Sequence, residues 1–265
     1  MNAAVSIEKY LQQVRARGRY SFTLDELRQR TSLSYRSVKQ NLYYLKSKKY
    51  IAQIRQGFYV ILFPEYTGMG TVPVYQYIGH LMKSLDKPYY IGLLSAAALH
   101  GAAHQKVMVD YIVTQNPAPR NINSKNDKLF FISKNELLTE GIIQKKSRVG
   151  YINVSSPELT AFDLLDQIRR FGLNHITTVL QELHEVMKAS PLKKIALLNN
   201  NTANIQRLGY ILENFTEGQK LADALYKMVE NQKLSYIPLS PVKKRVGTYD
   251  TKWKIIVNTE IDPDL

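Results

Sequence analysis

SYRSVKQNLYYLKSKKYIAQIRQGFYVI, residues 34–61, changes its period part-way along. Val38, Leu42 and Leu45 recur at steps of four and three, which makes one apolar stripe on a helix. Ser34 stands where an N-cap is needed, so the helix is expected from Tyr35 to about Lys48. From Tyr50 the pattern turns β-rich, YIAQI and FYVIL around Arg55-Gln56-Gly57, and reads as a hairpin. The remaining helix faces carry Tyr35, Arg36, Ser37, Lys39, Gln40 and Tyr43. A helix needs only one apolar stripe to dock, so these side chains are free to meet another surface.

Upstream, Ile7, Leu11 and Val14 recur at helical spacing and Gly18 closes that first helix. Thr23 with Glu26 three residues later forms a capping box for a second, short helix that buries Leu24 and Leu27. Thr31-Ser32-Leu33 makes a tight turn before Ser34. Helix, helix, turn, helix, hairpin is the order of a winged helix-turn-helix, assigned to residues 1–63.

Charge supports a polyanionic partner. The net charge is +14, and residues 1–63 hold twelve basic against three acidic side chains. Twelve less three puts +9 there and leaves +5 for the other 202 residues. A basic surface used only for solvation would be spread more evenly. In the major groove Arg reads guanine and Gln reads adenine, while Ser and Lys reach bases or phosphates. The candidate contacts to double-stranded DNA are Ser34, Tyr35, Arg36, Ser37, Lys39, Gln40, Tyr43, Lys46 and Lys48, with Arg55 and Gln56 at the hairpin tip. Arg15, Arg17 and Arg19 are further candidates for phosphate. The plainer alternative is a small helical domain whose basic face serves RNA or a protein.

Pro64 to Pro73, PEYTGMGTVP, reads as a linker, and its lone G-x-G lacks the third glycine of a nucleotide loop. Residues 74–265 then read as a second domain, mixed α/β to about 155 and mainly helical after it, so that the whole is α+β. A helix is expected over Val74–Leu85, with Tyr77, Ile78, Leu81, Met82 and Leu85 packing. YYIGLLSAAALHGAAHQ reads as a small-residue helix stopped by Gly101. Strands are expected at Val107–Thr114, Lys128–Ser133, Gly141–Lys146 and Gly150–Ser155. Helices follow from Ser156 through Ile168, then at Asn174–Lys188, Leu192–Asn199, Thr202–Phe215 and Gly218–Val229. The last stretch, with Lys243-Lys244-Arg245 and WKIIV, reads as an extended tail returning to the body.

The order of a basic winged helix, then YYIGLLSAAALHG, a strand pair and VSSPELTAFDLLD resembles the AbiEi family, the antitoxins of type IV toxin–antitoxin modules of abortive phage infection. Its most specific pieces are Tyr90–Gly101 and Ser155–Asp166. The resemblance implies a DNA-binding domain that represses its own operon by binding promoter repeats, its recognition helix falling on Ser34 to Lys48. It also implies a C-terminal domain needed to counteract a nucleotidyltransferase-like toxin without stable binding to it. Ser156, Pro157, Glu158, Thr160 and Asp163 match the family pattern, and here they read as helix-start chemistry. No heptad supplies a dimer seam, so a monomer or weak dimer is expected.

No enzyme, cofactor or metal is expected. His184 begins HEVMK, which falls short of H-E-x-x-H because Lys188 takes the second ligand position. His100 and His104 have metal-ligand spacing but no third ligand nearby, and read as helix-end and loop residues. Asp110 on a strand lacks the convergent carboxylates of a two-metal nuclease. The chain has no cysteine, no apolar run of bilayer length and no signal-peptide core at its start, so a cytoplasmic location away from membranes is expected. The alternatives are a regulator whose C-terminal domain grips a protein partner directly, and a DNA-targeted nuclease.

Overall fold

The computed structural model describes residues 5–102 and 108–262. In chain order the elements begin with α1 (Ile7–Ala16), β1 (Ser21–Thr23), α2 (Leu24–Arg30), α3 (Tyr35–Ser47), β2 (Ile51–Arg55) and β3 (Phe58–Ile61). Next come α4 (Ile78–Ser84), β4 (Tyr89–Ile91), α5 (Leu93–Leu99), β5 (Asp110–Gln115), β6 (Ile122–Asn123), β7 (Lys128–Lys134), β8 (Ile142–Ser147) and β9 (Gly150–Ser155). The remainder is α6 (Pro157–Asp166), α7 (Ile168–Phe171), α8 (Leu173–Leu183), α9 (Ala189–Asn199), α10 (Thr202–Phe215), α11 (Gln219–Val229), β10 (Ile237–Pro238), β11 (Thr248–Asp250) and β12 (Ile255–Val257). This is a mixed α+β fold, as expected. Contacts divide the chain into two compact units, residues 1–90 with 112–135 and 144–153, and residues 91–111 with 136–143 and 154–265.

In the first unit, each early helix starts on a residue able to cap it. Ser6 accepts from the Lys9 amide, Ser34 from the Ser37 amide, and Thr23 and Glu26 form a reciprocal capping box. Gly18, at φ +68°, lets the chain leave α1 by a left-handed turn. Val38, Leu42 and Leu45 of α3 are buried together with Ile7, Val14, Phe22, Leu27 and Ile61. At about 1.5–3 kcal/mol for each fully buried side chain, this core outweighs any single surface contact. Leu24, expected inside, is only half-buried, because it is the first residue after the cap and sits at the helix rim. The hairpin forms with Gly57 at φ +76° in its turn. β3 pairs antiparallel with β2 on one side and β1 on the other.

Pro64–Pro73, read as a linker from composition, is packed. Tyr66, Thr71 and Val72 are buried, and Thr71 Oγ1 donates to Asp127 Oδ1 at 2.6 Å. Gly70 stands at φ +68°, and a Cβ on it would lie 2.5 Å from the Asn126 side-chain amide. The helix expected over Val74–Leu85 divides into a 3-10 turn, Val74–Gln76, and α4. The packing face is as expected, with Tyr77, Ile78, Leu81 and Met82 buried.

The second unit centres on α6, whose residues Glu158 to Leu165 are all buried. Ser156 accepts from the Leu159 amide as the cap. Glu158 stands in the first turn of α6, as expected, and also accepts from the Lys188 amide at 2.8 Å at the start of α9. Ser95, Ala96 and Ala97 are buried on α5, which packs on α6; small side chains permit that approach. Tyr89–Ile91, expected as part of the α5 helix, is a buried strand pairing in parallel with β9 at Ile91 and Val154. The helix expected through Ile168 breaks at Gln167 into α6 and α7, and the one expected to Lys188 ends in a 3-10 turn, His184–Val186. The strand expected from Val107 begins at Asp110; Val107 itself lies outside the described residues.

The tail returns to α10. β12 pairs in parallel with β10 and antiparallel with β11. Gln206 donates to the Trp253 carbonyl at 2.8 Å and Arg207 to the Pro238 carbonyl at 3.1 Å. Trp253 is fully buried over Gly209. Among the described residues no helix is long and apolar enough to cross a membrane.

Candidate nucleic-acid interface

The apolar stripe of α3 is spent on the core, which fixes what its other faces present. Tyr35, Arg36, Lys39, Gln40, Tyr43, Lys46 and Lys48 are exposed; Ser37 is half-buried beside the cap. Tyr43 is 74% exposed, too much for a core aromatic and natural for one awaiting a partner. Lys39 Nζ lies 4.5 Å from the centre of the Tyr35 ring, and Arg28 Cζ lies 5.4 Å from it on a neighbouring helix. These cation–π contacts hold the first turn of α3 in a cationic setting.

Six of the expected contacts, Gln56 among them, meet in one place. Tyr35, Lys39, Tyr43, Lys46 and Arg55 line a cleft of about 1150 Å³, with Gln53 and Gln56 of the hairpin forming its floor. Lys46 Nζ donates to Gln53 Oε1 at 2.9 Å, joining helix to hairpin. Arg55 is half-buried, and its Nη1 has no hydrogen-bond partner among the described residues. Ser34, Arg36, Ser37, Gln40 and Lys48 do not line the cleft. Arg36 and Gln40 stand on the adjacent exposed face of α3.

The cleft is also lined by α4, through Gly79, His80 and Lys83. The sequence reading passed over these residues. Their signal was available, since 79, 80 and 83 form a polar stripe opposite the buried face of the same helix. His80 anchors α4 in a polar cluster. Its Nε2 is 3.2 Å from Glu26 Oε2 and 3.0 Å from Arg19 Nη2, and its Nδ1 is 2.8 Å from Ser21 Oγ. Arg19 also donates to Glu26 Oε1 at 2.8 Å. Arg19 is therefore committed inside the unit, and Arg15 stacks on Phe63 at 4.5 Å. Burial alone would raise the Glu26 carboxyl, but hydrogen bonds from His80, the Thr23 amide and Arg19 pull it down to about 2.

The sequence also singled out His100, His104 and His184. His100 Nε2 stands 2.7 Å from the Ser155 carbonyl at the end of α5, and His104 lies outside the described residues. His184 sits in the 3-10 turn after α8. Among the described residues no three His, Asp or Glu side chains are gathered so as to hold a metal ion.

Comparison with known proteins bears on the second half of the chain and on the fold. The crystal structure of the RV2827C protein from Mycobacterium tuberculosis superposes with a TM-score of 0.66 at 12% identity, covering 96% of this chain and 92% of that one. At that identity the likeness is one of fold. No curated protein is similar enough in sequence to count as a match. Residues 90–214, which contain both YIGLLSAAALHG and VSSPELTAFDLLD, match the model of the AbiEi antitoxin C-terminal domain. That match spans just under half of the chain and is a likeness to the C-terminal domain of an antitoxin.

Proposed function

We propose that this antitoxin binds double-stranded operator DNA in the cytoplasm and represses its own operon. In this reading α1 to β3 is a winged helix-turn-helix, with α3 as recognition helix and the β2–β3 hairpin as wing. The observation that carries it is the face of α3. Arg36, Lys39, Gln40 and Tyr43 are exposed together while the apolar stripe is fully used inside. Arg36 and Gln40 are the side chains able to read base edges; Lys39, Lys46, Lys48 and Arg55 supply sequence-independent attraction to phosphate. The antitoxin role extends to counteracting a nucleotidyltransferase-like toxin, following the family resemblance of residues 90–214.

The test is a salt-titrated binding assay of the full chain on the DNA upstream of its own gene, against a random duplex of equal length. A preference of about 10³-fold or more, with a steep loss of affinity as salt rises, is expected. Equal weak binding to both duplexes would overturn the repressor reading and leave only a basic surface.

A further inference from the structure

We infer that α4 is a second wall of the nucleic-acid interface, and that Lys83 contacts a phosphate of the strand lying against Lys39 and Lys46. The inference rests on the DNA-binding reading of α3 and extends it to an element outside the helix-hairpin module. Its first ground is placement: Lys83 is exposed and lines the same cleft as Lys39, Tyr43, Lys46 and Arg55. The second is charge. Glu26 in the cleft is already paired with Arg19 and Asp25 lies 4.0 Å from Arg28. Lys39, Lys46, Arg55 and Lys83 therefore face the cleft as an excess of positive charge.

The third ground is rigidity. A lysine on a swinging helix pays entropy for each phosphate it holds, whereas α4 is tied down by His80, one turn before Lys83, through Glu26, Arg19 and Ser21. The fourth is size and lining. About 1150 Å³ exceeds the roughly 300–1,000 Å³ of small-molecule sites. Lysines, an arginine with an unmatched N–H, and two exposed tyrosines suit the phosphates and sugars of a duplex backbone.

The experiment uses the full chain and a labelled duplex carrying the sequence upstream of its own gene, titrated between about 50 and 200 mM salt. Lys83→Ala is expected to weaken binding to operator and random duplex alike and to shallow the slope of log K against log salt by about 0.9. Lys83→Arg keeps the slope, and Lys83→Glu loses more affinity than Lys83→Ala. Lys227→Ala, which removes an equal charge from an exposed position on α11, leaves slope and affinity unchanged. A Lys83→Ala slope equal to the parent's, with Lys39→Ala still shallowing it, overturns the role of α4 and leaves the α3 reading standing. A parent chain that prefers neither duplex and shows no salt slope overturns both.

Discussion

Glu26 is a small carboxylate asked to serve three partners, and its acidity records the result. Its ordinary value of 4.5 is held near 2 in the folded chain. A depressed carboxylate stabilises the fold above its unfolded value and ceases to as pH falls through its folded value. Stability from Glu26 is thus present at neutral pH and is lost between about pH 4.5 and pH 2. Glu26→Gln is expected to lower the urea midpoint at pH 7 and to flatten its fall across that window; the same acid sensitivity in both proteins would refute the assignment. The exposed face of α3 gives a second expectation. Arg36→Ala and Gln40→Ala should each lose about 1–3 kcal/mol, mainly on the preferred sequence, whereas Lys48→Ala should weaken all sequences alike. Normal operator binding by both of the first two would show that α3 does not read bases. At this scale the sequence was legible where chemistry is local: the Ser34 cap and the Thr23–Glu26 box involve partners three residues apart. His80 was not, because Arg19 lies 61 residues from it along the chain.

Elements were legible in proportion to their length. α3, α10 and α11 carry several turns of apolar periodicity, and their bounds follow from it. β1 and β4 have three residues each and β6 two, too few to display a period of two. Tyr89–Ile91 was therefore absorbed into the apolar run of α5, and only its pairing with β9 reveals it. α10 yields a prediction that composition alone would get wrong. Gly209 in mid-helix costs about 1 kcal/mol relative to alanine by propensity, so Gly209→Ala looks stabilising. A Cβ there would fall 2.1 Å from the buried Trp253 ring, whose Nε1 donates to Glu213 Oε2 at 2.5 Å. Overpacking of this kind costs about 1–3 kcal/mol, so Gly209→Ala is expected to lower the melting temperature. A rise would mean that the tryptophan moves aside without cost.

At the scale of the whole chain, the first unit is assembled from three stretches, residues 1–90, 112–135 and 144–153. Composition suggested a break at Pro64–Pro73; pairings such as Thr71 with Asp127 are invisible to any reading of adjacent residues. One core cluster shared by α1, α2, α3 and the hairpin nevertheless lies within residues 7–61. A fragment of residues 1–63 is expected to unfold in one cooperative transition. One of residues 1–90 lacks Asp127, which accepts from Thr71 and Tyr77, and the later strands of the unit, and is expected to aggregate. Circular dichroism and light scattering on the two fragments decide it: a monomeric, cooperative 1–90 fragment would show that those later strands are dispensable.

The interleaving of the first unit also sets an order of events at the ribosome. Translation at about 5–20 residues per second separates residue 63 from residue 153 by roughly 5–18 s. During that interval a nascent chain already owns a finished helix-and-hairpin module while the last pieces of the surrounding unit are still being made. The chain thus acquires α3 early in synthesis and the last stretch of its first unit only after more than half the message has been read.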